Sequence, residues 1–294
     1  GFTQRVSPEA RKMSSLDVMW RWPCPNSITF DGLDKARCVF GAPWDEATTK
    51  GILWGDSHAE HMAPLVEAAT AGKPFSFILY RECPAALGGA VNREWKEVPW
   101  YSNRCSSTRN EMIKFLNSHS EVNLVILSAS WTNLGNVVSQ DGSLSEALDN
   151  YELISYGIRI LIEETASPGR KFIVIGDVPQ LRRDPIPCAL SDYVNLYRKH
   201  CRYEDYLVSS ERFYEYQGKM YKEIEHIADA RSDVIAIFPG YKLCTQEWCQ
   251  AYIDNEFLYR DGSHLRRNLS HEAKRMLADI IGLTAALSAA GHSQ

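Results

Sequence analysis

Five short apolar runs, separated mostly by longer helix-patterned segments, constrain this chain more tightly than any other feature of its sequence. They lie at residues 51–55, 75–80, 124–128, 171–176 and 234–238. After the first, residues 58–71 place Met62, Leu65, Val66 and Ala69 at helical spacing. Further helices are expected at 107–118, 144–165, 192–230 and 270–290. Runs that are apolar throughout suit parallel strands covered on both faces. Strands alternating with helices then call for right-handed crossovers in a three-layer α/β/α sandwich. Its expected centre is a mainly parallel, five-stranded sheet, with functional groups at the carboxyl ends of the strands.

The first fifty residues are rich in Trp, Pro and Gly and lack sustained periodicity, so they read as an extended wrap with one strand at 36–40. The segment 82–104 is a long insertion with little periodicity, a kind of loop that commonly carries specificity. An apolar fraction of 45% leaves enough material for one sizeable core. Net charge is -5 with no long basic run, which argues against nucleic acid or an anionic membrane surface as partner and favours an uncharged substrate. The longest apolar stretch, 278–290, is interrupted by Asp279 and Thr284 and is shorter than the roughly 20 residues that cross a bilayer. The opening Gly1-Phe2-Thr3-Gln4-Arg5 lacks the tripartite start of a secretory leader, so none is expected in it. Mature secretion and excision from a larger protein both stay open.

The 8 cysteines fall into sequence-local pairs that flank loop-like sequence: Cys24 with Cys38, Cys83 with Cys105, Cys188 with Cys201, and Cys244 with Cys249. No CxxC occurs, whereas zinc usually gathers close-set thiolates. This nearest-neighbour scheme rests on spacing alone, and it favours disulfides over metal ligands or free thiols. Disulfides in turn favour an oxidising compartment such as a periplasm or cell exterior.

Two short motifs carry chemistry. Gly55-Asp56-Ser57-His58 lies where the first regular strand meets its helix, which sets Ser57 at a helix N-terminus among free N–H groups. That position favours an alkoxide-like nucleophile and offers donors to an oxyanion, although a serine there can also be a plain helix cap. In Asp261-Gly262-Ser263-His264, a turn that folds back lets the carboxylate accept the Nδ1–H of the imidazole and frees Nε2 to take a serine proton. The bland reading is an Asp cap beside a surface His. An early Ser with a late Asp-x-x-His is far more specific than either motif alone.

That arrangement resembles the SGNH, or GDSL-like, hydrolase superfamily, whose first block carries the serine nucleophile and whose last carries Asp-x-x-His. Ser57, Asp261 and His264 match those positions. Leu53-Trp54-Gly55-Asp56-Ser57-His58, Cys83-Pro84, the Cys244 and Cys249 pair, and Leu258-Tyr259-Arg260-Asp261-Gly262-Ser263-His264-Leu265 are similar, more narrowly, to SGNH domains fused to membrane acyltransferase-3 proteins. The similarity runs from about residue 20 to the C-terminus, and Gly1-Phe2-x-x-Arg5-Val6 is similar to the linker leaving the membrane part. The resemblance implies a flavodoxin-like catalytic domain at 51–294, with residues 1–50 as its extension or linker. It also implies a periplasmic location tethered to the inner membrane, and a fused or associated acyltransferase-3 domain that supplies an acetyl group. A glycan would be the acceptor, with lipopolysaccharide O-antigen the leading one, and no cofactor or metal would be needed. The isolated domain is expected to be monomeric.

The oxyanion hole departs from the superfamily pattern, because Ser130 takes the usual Asn position. Ser57 itself, Gly88 or the adjacent Gly89, Ser130 and the nearby Asn133 are the expected donors. Trp95 and Trp100 in the insertion, and Trp131 after the third run, are the candidate sugar contacts, since flat aromatic faces pair with pyranose C–H surfaces, with simple loop packing or core burial as the alternative. His58 and His61 beside Asp56 could hint at metal ligands but read more simply as satisfied histidines. Four other readings remain: a carbohydrate O-acetylesterase with the same triad, a metal-dependent phosphoesterase, a silent glycan-binding module, and an α/β-hydrolase, which would separate its Asp from its His.

Overall fold

Seven strands form the main sheet of the computed structural model, which describes residues 7–140, 142, 144–145, 147–182, 184–193 and 201–291. The linker-like Gly1–Val6 lies outside the described residues. Short helices α1 (Pro8–Lys12) and α2 (Leu16–Met19) lead into β1 (Asn26–Ile28), β2 (Arg37–Gly41), β3 (Thr49–Gly55), α3 (Ser57–Ala69) and β4 (Phe75–Arg81). The middle of the chain supplies β5 (Val91–Arg93), α4 (Trp100–Ser118), β6 (Val122–Ser128), β7 (Val137–Ser139), α5 (Asn150–Thr165) and β8 (Lys171–Ile175). Then follow α6 (Ile186–Tyr193), α7 (Tyr203–Tyr206), α8 (Ser210–Asp229), β9 (Val234–Ile237) and α9 (Pro239–Leu243). A two-stranded ribbon, β10 (Tyr252–Ile253) with β11 (Glu256–Phe257), precedes α10 (His271–Ile280) and α11 (Leu283–Gly291).

The sheet order is β1-β2-β4-β3-β6-β8-β9, and β4, β3, β6, β8 and β9 run parallel. These are the five expected strands. The count of five is nonetheless corrected to seven, because β1 and β2 form an antiparallel hairpin that continues the sheet past β4. Alternate side chains feed opposite cores: Leu53, Leu124, Ile126 and Ile173 enter one, while Ile52, Trp54, Val125, Leu127 and Phe172 enter the other. Both faces are buried, which is why the runs are apolar without alternation.

Helix boundaries differ from expectation where local chemistry decides them. The helix expected at 144–165 starts at Asn150, because Asp149 and Glu152 form a capping box. The one expected at 270–290 breaks at Gly282, whose φ of 83° suits glycine and divides α10 from α11. Part of 192–230 lies outside the described residues; within the rest, the Ser209 side chain accepts the Arg212 N–H and starts α8 afresh. Helix α4 begins at Trp100, inside the supposed insertion. Helices α1 and α2, both unexpected, are capped by Ser7 and Ser15, so Ser-Pro-Glu and Ser-Leu-Asp were the legible signals. Among the described residues no helix is long and apolar enough to cross a membrane.

Four disulfides join the nearest-neighbour cysteines: Cys24–Cys38, Cys83–Cys105, Cys188–Cys201 and Cys244–Cys249. The first ties the N-terminal segment to β2, and the second ties the exit of β4 to α4. From β3 the chain adds β4 on one side and then crosses to β6 on the other. Connections leave β3 and β6 in opposite directions at their carboxyl ends, which opens a crevice there. Ser57 follows β3 and Ser130 follows β6, so the two lie at its lips.

Candidate active site

The end of β3 is built around a close approach. A Cβ on Gly55 would fall on the Ser128 carbonyl of β6 and lie 3.0 Å from the Ala59 side chain, so glycine is required by packing rather than by a turn. Gly55→Ala is expected to force β3 and β6 apart beneath Ser57, at an overpacking cost of about 1–3 kcal/mol. Thermal unfolding and organophosphonate labelling would read that loss of stability and reactivity together.

Asp56 is the N-cap of α3: its Oδ1 accepts the His58 N–H at 2.8 Å, and its Oδ2 accepts the Ser130 N–H at 3.1 Å. One carboxylate thus pins the β3 and β6 loops together. It leaves Ser57 exposed at the first position of the helix, where among the described residues no group of the chain accepts its N–H.

The turn at 258–266 carries the other half of the site. It is closed by Arg260 N–H to His264 carbonyl at 2.8 Å and Arg266 N–H to Leu258 carbonyl at 2.7 Å. Inside it, Asp261 Oδ1 accepts the Ser263 and His264 N–H groups, each at 2.9 Å, and both Asp261 oxygens lie 3.0 Å from His264 Nδ1. The cap and the orienting carboxylate are therefore the same group. His264 Nε2 then lies 2.8 Å from Ser57 Oγ, across a sequence separation of 207 residues. Burial alone would raise the Asp261 carboxyl, but the hydrogen bonds from His264 and the Ser263 N–H outweigh it and hold the group well below the usual carboxylate range.

Behind this line is a buried layer that sequence reasoning missed. Asp177, just past β8, accepts the Trp131 N–H at 3.1 Å, the Thr132 N–H at 2.8 Å and the Thr132 hydroxyl at 2.6 Å. Burial pushes its carboxyl up to about 7 against those bonds. His58 Nδ1 lies 3.6 Å from Asp177, and burial lowers that imidazole to about 4. The fourth apolar run ends at Gly176, one residue before Asp177, but nothing in the sequence pairs that carboxylate with residue 58. His61 is buried and neutral as well, and its Nδ1 accepts the Leu265 N–H at 3.4 Å. Both histidines brace α3 against the turn of His264, and among the described residues no His, Cys, Asp and Glu cluster is arranged to hold a metal ion.

Of the expected oxyanion donors, Gly88 is ruled out. Its N–H donates to the Val91 carbonyl at 3.0 Å, and its φ of 90° sets a turn pressed on Cys105. The Ser130 N–H is committed to Asp56, while its Oγ accepts from Asn133 Nδ2 at 3.3 Å. Asn133 Oδ1 in turn accepts the Tyr216 hydroxyl at 2.9 Å. Trp131 is also corrected: it is fully buried, and its Nε1 donates to the Ile175 carbonyl at 2.8 Å, so its ring is core rather than a sugar platform. Trp100 is 57% exposed, and Trp95 packs edge-on to Tyr101 with ring centroids 5.4 Å apart. Burial raises the Tyr101 hydroxyl, and the Asp56 carboxylate adds to the rise.

A family model described as "SGNH domain (fused to AT3 domains)" matches residues 23–280. Among solved structures, the periplasmic domain of a lipopolysaccharide acetyltransferase from Salmonella ser. Paratyphi A is similar, with a TM-score of 0.58 and 15% identity over 97% of this chain and 100% of that one. A Streptococcus pneumonia protein provisionally described as a platelet activating factor overlaps 80% of this chain and 82% of its own, at 15% identity and a TM-score of 0.40. No protein of curated function matches the chain.

Proposed function

The chain belongs to the family of SGNH domains fused to AT3 domains, and from that premise we propose that it transfers an acetyl group to a hydroxyl of a bacterial surface glycan through an acyl-serine at Ser57. The observation that carries the reading is the unbroken line from Asp261 through His264 to Ser57, at 3.0 and 2.8 Å. His264 Nε2 takes the Ser57 proton as Oγ attacks the donor carbonyl, and Asp261 stabilises the imidazolium that forms. The tetrahedral oxyanion faces the Ser57 N–H at the start of α3, and collapse expels the donor's leaving group with the proton that His264 returns. In the second half, His264 takes the proton of the acceptor hydroxyl as its oxygen attacks the acyl carbon, and returns that proton to Ser57 Oγ as the intermediate collapses to the acetylated glycan and free serine.

Water in place of the glycan would make the same residues an O-acetylesterase, so the triad alone does not choose between the two. The fusion to AT3 domains that names the family favours transfer, since a membrane-bound donor supplies acyl groups for which hydrolysis would be wasteful. In this reading residues 51–294 are the catalytic unit, tethered on the periplasmic side, and residues 1–50 lead into it. The four disulfides agree with that compartment. Trp95 and Trp100, both packed on Tyr101, are the acceptor's platform in this reading, and lipopolysaccharide O-antigen is the proposed acceptor. Mass spectrometry of surface glycans from cells carrying Ser57→Ala in the full-length protein tests this: O-acetyl groups should disappear, and unchanged acetylation removes the transferase reading.

A further inference from the structure

Three rings surround the His264 imidazole. His58 and His61, both on α3, stand 4.9 and 5.9 Å from it between centroids, and Trp20 meets it edge-on at 5.5 Å with the planes at 90°. The histidines come from the helix that carries Ser57. Trp20 comes from the other end of the chain, in a segment bound to the stretch that carries the base. Arg260 Nε donates to the Leu16 carbonyl at 3.2 Å, the Arg267 N–H to the Met19 carbonyl at 2.9 Å, and Asn268 Nδ2 to the Lys12 carbonyl at 2.9 Å. Arg266 is ion-paired with Glu9 of α1. The guanidinium groups of Arg260 and Arg267 lie over the Trp20 ring, 4.7 and 5.1 Å from its centroid, and hold the indole in place.

Asp261 does not by itself fix the imidazole. Both of its oxygens lie 3.0 Å from Nδ1, so the ring can rock between them without losing a hydrogen bond, and each rock swings Nε2 relative to Ser57. The inner side is closed by the neutral, buried His58 and His61. We infer that Trp20, clasped by Arg260 and Arg267, is a positioning residue that closes the outer side and confines His264 to the orientation facing both Asp261 and Ser57. This rests on the reading of His264 as the base and adds a role for the N-terminal segment, which is then a strap over the base as well as a cover for the core edge.

The test uses the purified chain with Trp20→Leu, which keeps apolar bulk without a rigid ring, Trp20→Phe, which restores one, and Trp22→Leu as control. Trp22 packs on Phe40, donates to Glu67 and shares the Arg267 guanidinium with Trp20, but among the described residues it makes no ring contact with His264, so it controls for a disturbed Arg267 without loss of the ring against the base. Two readouts are taken: solvent exchange of the His264 Nδ1–H proton in histidine-labelled protein by NMR, and kcat for an aryl acetate per serine titrated with an organophosphonate. Trp20→Leu is expected to speed that exchange about tenfold and to lower kcat by about 10- to 100-fold, the scale of a base displaced by about 1 Å, with KM little changed. Trp20→Phe should recover most of both effects, and Trp22→Leu should produce neither. Parent-like exchange and kcat in a folded Trp20→Leu chain would overturn the inference, as would Trp22→Leu reproducing both losses. Should the leucine variant not fold, Trp20→Met replaces it under the same criteria. The exchange measurement needs no turnover, so an unreactive Ser57 in the parent would sink the acyl-serine reading while the proton still decides the role of Trp20.

Discussion

Replacing His264 with glutamine is expected to lower turnover of an aryl acetate by about 10⁴- to 10⁶-fold, and combining it with Ser57→Ala should cost little more. On the proposed acyl-serine reading, the Ser57 hydroxyl is a poor nucleophile until the imidazole 2.8 Å away takes its proton. Without the imidazole, Ser57 keeps its place at the head of α3 but has nowhere to send that proton. Without the serine, the imidazole has nothing to activate. Groups that act as one unit give strongly non-additive losses, so the double variant settles at the residual rate of the oxyanion site and binding alone. Steady-state kinetics on the two single variants and the double variant would check this. Additive losses would mean that the two residues serve separate steps.

The strand runs were readable because each parallel strand is covered on both faces, which leaves an uninterrupted apolar signature in Leu53, Ile78, Ile126, Val174 and their neighbours. The β1–β2 hairpin was half legible. Its inner strand carries Val39 and Phe40, whereas in Asn26–Ile28 only Ile28 is half-buried, too short an apolar code to betray an edge strand. Ser57, Asp261 and His264 could be singled out because a short turn places Asp and His in one motif and a strand–helix junction marks the serine, and the structure brings the three within hydrogen-bond distance. What surrounds them could not be named, since it depends on contacts across the sheet. Asp177 reaches the β6 loop, Trp20 reaches the turn of His264 from the far end of the chain, and Trp131 turns inward to a β8 carbonyl. Glycines were the least legible of all. Gly88 reads like a loop donor but is held by a turn against Cys105, and Gly55 is needed for an interstrand contact that no sequence pattern reveals.

Asp261→Asn is the sharpest expected result after loss of the base, because the change is nearly isosteric and its effect follows from one proton. Asp261 Oδ1 accepts two backbone N–H groups, each at 2.9 Å, so an asparagine must keep its carbonyl oxygen at that position to preserve the turn. Its NH2 then takes the place of Oδ2, 3.0 Å from His264 Nδ1. A donor there opposes a protonated Nδ1, and the remaining oxygen, although also 3.0 Å from Nδ1, already accepts two backbone N–H groups, so the balance shifts toward the tautomer that carries the ring proton on Nε2, aimed at Ser57 Oγ. The imidazole becomes a donor to the group it should deprotonate, and turnover is expected to fall by about 10⁴-fold with the fold intact. The carboxylate also contributes stability with a definite sign. Its folded pKa is depressed, so that stabilisation is present above the unfolded carboxyl range of about 3.9 and is lost as pH falls through the lower folded value. The melting temperature of the parent should therefore exceed that of Asp261→Asn at neutral pH, and the gap should close only in strong acid. A variant that kept full turnover at neutral pH would show that the tautomer of His264 is set by something other than this carboxylate.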